Sequence, residues 1–149
     1  MLDYLATYPY YGIVYRAIDM ILAAHSDAVF HNEYKGRSRS GSCIFFSEDD
    51  PIPRCNGPVL SITQVIKFVM TSTAEAELGA LYITAQKMVP MSQTFIEMGW
   101  PQPPTPIQTD NTTAEGVVNN TIVAKKLNSM DLRLHWLRCR EVQKQFRVY

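Results

Sequence analysis

Leu78, Leu81, Ala85 and Met88 recur at intervals of three and four, which on a helix puts all four on one face. Ser72 stands three residues before Glu75, the pairing that closes a helix N-terminus from both sides. The stretch from Thr71 to Met88 therefore predicts a core helix, and the rest of the chain must supply the surface it covers. Glu77 sits at the edge of the apolar stripe, one position before Leu78, where a carboxylate looks along the boundary between core and solvent. Taken alone it is an ordinary surface acid on a core-facing helix. Partners elsewhere in the chain would change its meaning.

The flanking patterns predict what lies under that helix. Leu2–Tyr8 has a short helical look, closed by Pro9. Gly12–Arg16, Met20–Asp27, Gly41–Ser47 and Pro58–Ile62 read as extended runs, the last of them the third strand of a meander. His31–Ser40 is a polar, basic turn or short hairpin, and Glu48–Arg54 is a loop. Pro90 is expected to kink or split the core helix, with Phe95, Ile96 and Met98 continuing its apolar face and Gly99 stopping it. Trp100–Pro106 is a stiff connector, too short to separate domains. Ile107–Thr109 reads as a short strand ending at Asp110, and Thr112–Val118 as helical. Met130–Phe146 predicts a basic amphipathic helix with Leu132, His135, Trp136 and Val142 on its buried side, before an extended Arg147–Tyr149. Strands, helix, strand, then two helices is an α/β order with a mixed sheet flanked by helices.

The chain's 149 residues fit one domain with a real core, and 46% apolar against 19% charged excludes a disordered chain. No apolar run is long enough to span a bilayer, and the start lacks the basic and apolar blocks of a signal peptide. Cys43, Cys55 and Cys139 are odd in number and far apart, so they read as reduced thiols of an intracellular protein, cytoplasmic or nuclear. Zero net charge hides an asymmetry. Residues 125–149 hold seven Lys or Arg against two acids, a net of +5; the remaining seven bases and twelve acids leave −5 for residues 1–124. A basic end beside an acidic body suggests a polyanionic partner.

Three carboxylates fall at element ends: Asp27 after a strand, Glu77 in the first turns of a helix, Asp110 after another strand. The carboxyl ends of strands in an α/β sheet form the crevice where sites are built. Two strand-end aspartates facing a helical glutamate would make an oxygen-only cluster, suited to Mg²⁺ or Mn²⁺. Two such ions can activate a water and neutralise the leaving oxygen in phosphodiester cleavage. Asp27 and Asp110 also have a plainer reading as caps. His25, alternating with Asp27, reads as a packed strand histidine, and no Ser-His-Asp or Cys-His arrangement recommends itself.

Five motifs in order carry a family resemblance: His25-Ser-Asp27-Ala, Ser38-Arg-Ser-Gly41, Ser72-Thr-Ala-Glu-Ala-Glu77, Thr109-Asp110-Asn111 and Met130-Asp-Leu-Arg-Leu-His135. From about residue 12 onward the chain resembles the ribonuclease H domain of copia-type retrotransposon polyproteins. Residues 1–11 resemble the tail of the segment joining a reverse transcriptase domain to it. The resemblance implies a ribonuclease H-like fold, with a three-strand antiparallel meander and further parallel strands. It implies that Asp27, Glu77 and Asp110 hold two Mg²⁺ (or Mn²⁺) ions and hydrolyse the RNA strand of RNA–DNA hybrids. It further places Arg39, Ser40 and Asn111 near the site, and the basic helix with Arg133, Arg138 and Arg140 along the nucleic acid backbone, where charge alone suffices for phosphate contact.

The chain departs from the family pattern at Val29, where a polar Asp or Ser is usual, and at Asn128, where a Lys is usual. The family's fourth acid, in an Ala-Asp pair beyond the final strand, would fall past Tyr149. The expectation is a domain incomplete at its carboxyl end, with the second ion loosely held and activity weak or absent. The competing reading is a non-catalytic retroelement remnant that serves at most as a nucleic-acid-binding module. An integrase- or resolvase-like strand transferase shares acid clusters on a similar fold, but places its glutamate in a later helix.

Overall fold

The structure, a computed structural model, describes residues 2–122 and 131–149. Lys125, Lys126, Asn128 and Met130 lie outside the described residues. The elements run α1 (Leu2–Thr7), β1 (Ile21–Glu33), β2 (Arg37–Ser47), β3 (Pro58–Val65), α2 (Thr73–Glu97), β4 (Thr105–Gln108), α3 (Thr112–Val118), α4 (Asp131–Val142) and β5 (Phe146–Val148). One five-stranded sheet forms in the order β3-β2-β1-β4-β5. β1, β2 and β3 are the antiparallel meander; β4 pairs parallel to β1, and β5 parallel to β4. This is the mixed sheet flanked by helices that the element order predicts.

β1 is central, and its first four residues, Ile21–Ala24, are all buried. A strand covered on both faces loses the alternation of a half-exposed one, hence the unbroken apolar run. The β1–β2 turn needs left-handed backbone at Lys35 and Gly36 (φ 62° and 65°), which glycine accepts without strain. α2 lies across the sheet with Leu78, Leu81, Ala85 and Met88 in one core with Leu22, Ala24, Ile44 and Ile107. Ser72 Oγ accepts the Glu75 N–H at 3.2 Å, and Glu75 reaches back to the backbone N–H and the hydroxyl of Thr71. The reciprocal cap is thus present, displaced by one residue on its return arm. Met70 and Ile66 pack against Gly79 of α2, where a Cβ would lie 2.9 Å from Met70 Cε.

Three sequence expectations fail. Gly12–Arg16 pairs with no strand; it is held only at its end, where Asn56 bonds the Arg16 backbone from both sides and the Tyr15 hydroxyl donates to Pro58 O. Its β-branched and aromatic residues Ile13, Val14 and Tyr15 stay exposed. Pro90 does not split α2, which runs unbroken to Glu97. Pro90 and Gln86, the residue whose carbonyl loses its donor, are both exposed, so water replaces the missing bond. On α4 the buried pair is Leu134 and Leu137, while Leu132, His135 and Val142 are exposed. The helix is rotated by roughly one position from the expected face; only Trp136 keeps its role, edge-on to Tyr82 of α2 with ring centroids 5.4 Å apart.

Candidate metal centre

The sheet register brings the two aspartates together. His25 of β1 pairs with Gln108 of β4 in parallel register, so Asp27, inside β1 and not at its end as the sequence suggested, stands level with Asp110, just past the end of β4. β4 ends at Gln108 while β1 continues to Glu33. Beyond that point the edge of β1 facing β4 has no strand to bond. Glu77 fills the gap: its Oε1 accepts the Ala28 N–H at 3.1 Å. Before β4 begins, Gln102 does the same work, accepting the Leu22 N–H at 2.9 Å and donating to Met20 O at 3.0 Å. An unpaired backbone group in a buried sheet edge is costly, and two side chains remove that cost at either end of the short strand.

Glu77 thereby comes to rest beside the aspartates. One carboxylate oxygen from each of Asp27, Glu77 and Asp110 lies within 4.8 Å of the others. Glu77 is buried whereas both aspartates are exposed, and Glu77 Oε2 has no hydrogen-bond partner among the described residues. Burial pushes the Glu77 carboxyl up to about 7; the Ala28 N–H opposes that, and the charges on Asp27 and Asp110 add to it. A divalent cation would answer both strains, giving the orphaned oxygen a partner and offsetting three crowded negative charges. The donor set is hard oxygen alone, which fits Mg²⁺ or Mn²⁺ and not a thiolate- or imidazole-seeking metal. It is the only such group of three among the described residues.

No protein-family model and no curated protein sequence matches the chain. Solved structures do match in shape. An RNase H1 isolated from compost by a metagenomic approach superposes with a TM-score of 0.61 at 10% identity, over 87% of this chain and 83% of that one. The same enzyme crystallised with an RNA/DNA hybrid gives 0.59 at 9% identity, over 85% and 80%. The N-terminal RNase H domain of a Mycobacterium tuberculosis protein gives 0.54 at 12% identity, over 87% and 78%. Identities this low speak for the fold alone. The chain has a ribonuclease H-like fold.

Within this RNase H-like fold the other residues singled out in the sequence have varied surroundings. Asn111 caps α3, its Oδ1 accepting from Thr113 N and Ala114 N, and so fixes the backbone next to Asp110. Arg39 is ion-paired with Glu33 across the β1–β2 hairpin. Ser40 is fully buried. On α4, Arg138 donates twice to Val117 O, at 2.9 and 2.7 Å, tying α4 to the end of α3. Arg140 lies over the Trp136 ring and bonds Gln145, and Arg133 stacks on Phe68 at 3.7 Å.

Strand direction decides which charged residues share an end of the sheet, which the sequence alone did not reveal. β1 and β3 both point towards the Asp27 end, so Lys35 and Arg37 of the hairpin and Lys67 after β3 gather there. Arg133 joins them, because α4 starts at that end before returning through β5. Asp19, Glu48, Asp49 and Asp50 gather at the opposite end. Both ends mix signs: Arg147 bonds Asp50 O and Arg16 and Arg54 lie with Glu48 at one, while Asp27, Glu77 and Asp110 share the other with Lys35 and Arg37.

Proposed function

We propose that the chain is a divalent-metal-dependent nuclease domain of the ribonuclease H type, acting on the RNA strand of RNA–DNA hybrids. The observation that carries this is the convergence of Asp27, Glu77 and Asp110 within 4.8 Å at the carboxyl end of the sheet. The motif order supports an origin in a copia-type retroelement polyprotein, with a reverse transcriptase domain as the neighbour. The hybrid bound by a structurally similar RNase H1 supports the choice of substrate.

Asp27 and Asp110 are exposed, while Glu77 is buried beneath them with Oε1 on the Ala28 N–H and Oε2 without a partner among the described residues. Asp27, Glu77 and Asp110 would hold the ions, which would supply an activated water and charge neutralisation at the leaving oxygen of the scissile phosphodiester. Lys35, Arg37 and Lys67 meet the backbone of a duplex lying across the strand ends, so recognition rests on shape and charge, not base identity. With three carboxylates in reach, one ion would be held more firmly than a second, and turnover would be slow.

A labelled RNA–DNA hybrid incubated with Mg²⁺ tests this, with Asp27→Asn as the control. Slow cleavage of the RNA strand, abolished by the substitution and by EDTA, is the expected result. Metal-independent binding without any Asp27-dependent cleavage would refute the nuclease reading and leave a nucleic-acid-binding module.

A further inference from the structure

A row of serines runs along β2 beneath α2. Residues two apart on a strand share a face, and Ser42 Oγ hydrogen-bonds Thr84 Oγ1 of α2, so Ser38 and Ser40 face the same helix. Ser42 has Thr84, and Ser38 Oγ accepts the His31 N–H at 3.2 Å. Ser40, fully buried, has no hydrogen-bond partner for its hydroxyl among the described residues. Buried hydroxyls nearly always have one.

Ser40 stands directly opposite Ala28. Ala28 turns its N–H away from β2, to Glu77, so this is the pair type without ladder bonds, in which facing side chains stand closest. Glu77 Oε2 is the second buried oxygen without a partner, and the third, Thr105 Oγ1, is at the start of β4, the other end of that strand. Two orphaned oxygens therefore flank one residue, Ala28.

We propose that Ser40 is a positioning residue of the metal centre, its hydroxyl joined to Glu77 Oε2 through one buried water that holds the carboxylate towards Asp27 and Asp110. The proposal rests on the reading of those three acids as a metal site. A carboxylate oxygen has two lone pairs, so the water and an ion can share Oε2. Groups that orient a ligand in this way are typically worth about 10- to 100-fold in metal affinity.

The test is Mn²⁺ binding to the full chain by EPR, with Mg²⁺ competition, alongside amide exchange at Ala28. Ser40→Ala should weaken Mn²⁺ binding roughly 10-fold and speed exchange of the Ala28 N–H, while Ser40→Thr, which keeps the hydroxyl, should restore both. If Ser40→Ala fails to fold, Ser40→Cys takes its place with the same expectation, since a thiol is a poor donor. Unchanged Mn²⁺ affinity and unchanged Ala28 exchange in the Ala protein would overturn the role of Ser40 and leave the metal site standing. A Thr protein as weak as the Ala protein would also overturn it, by showing that shape and not the hydroxyl matters. A wild-type chain that binds no Mn²⁺ at millimolar concentration would remove the metal site and this proposal with it.

Discussion

Replacing Glu77 with glutamine should make the metal-free protein more stable, and the size of the gain should depend on pH. Glu77 takes up its proton near pH 7 when folded, against an ordinary 4.5. At 1.36 kcal/mol per pH unit, ionising it inside the fold costs about 3 kcal/mol. The direction follows from proton counts. Between those two values the folded chain binds the proton and the unfolded chain does not, so stability is fully present below about 4.5, falls as pH rises towards 7 and levels off above. Glutamine keeps an oxygen for the Ala28 N–H but carries no charge, so it escapes the penalty. Urea unfolding in EDTA should show Glu77→Gln ahead by about 3 kcal/mol at pH 8 and by less than about 1 kcal/mol at pH 5. In a chain of this length the pH 8 difference corresponds to roughly 6–12 °C in Tm. A variant no more stable than wild type at pH 8, or equally favoured at both pH values, would refute the reasoning.

The same proton predicts that Mg²⁺ binds more weakly in acid: below pH 7 the ion must displace it, at a cost of up to tenfold in affinity per pH unit, measurable by calorimetry at pH 6 and 8. Arg138→Ala should destabilise the fold by about 1–3 kcal/mol by stripping both donors from the carbonyl of buried Val117, without altering hybrid binding. Lys35→Ala with Arg37→Ala should do the reverse, leaving Tm unchanged while lowering the slope of log affinity against log salt by about 2. Gln102→Ala, which orphans the Leu22 N–H and Met20 O, should cost about 1–3 kcal/mol in urea unfolding.

How much of this was legible beforehand depended on range. The core helix was plain, because Ser72, Glu75 and the Leu78–Met88 stripe act within a few turns of one another. The meander, the Asp110 strand and the Thr112–Val118 helix were legible for the same reason. The α4 face was misread because Leu132 and Trp136 carry an apolar spacing as good as that of Leu134 and Leu137, and only packing on α2 chooses between them. Gly12–Arg16 has strand composition, yet composition alone does not make a strand, and this run joins no ladder. The three acids were picked out by expected positions at element ends, which fails for Asp27 inside β1, and by the motif resemblance. What no local pattern could show is the Ala28 N–H that anchors Glu77, since that contact exists only because β4 stops after four residues.

That short strand explains why the site stands where it does. β1 needs an acceptor at Ala28 once β4 has ended, and the acceptor must come from α2, the element packed over it. A glutamine would meet that need at no electrostatic cost, as Gln102 does at the strand's other end. A carboxylate there is a worse structural choice, because burial and two neighbouring aspartates make its charge expensive. The group that closes the sheet edge is thus the one whose charge most needs a counter-ion. Folding places Glu77 with one oxygen on backbone and the other unsatisfied, so a cation bound there would find Glu77 already in place and would offset the penalty. Moving the sheet's closure to a neutral residue would stabilise the protein and, by the same step, remove its reason to bind metal.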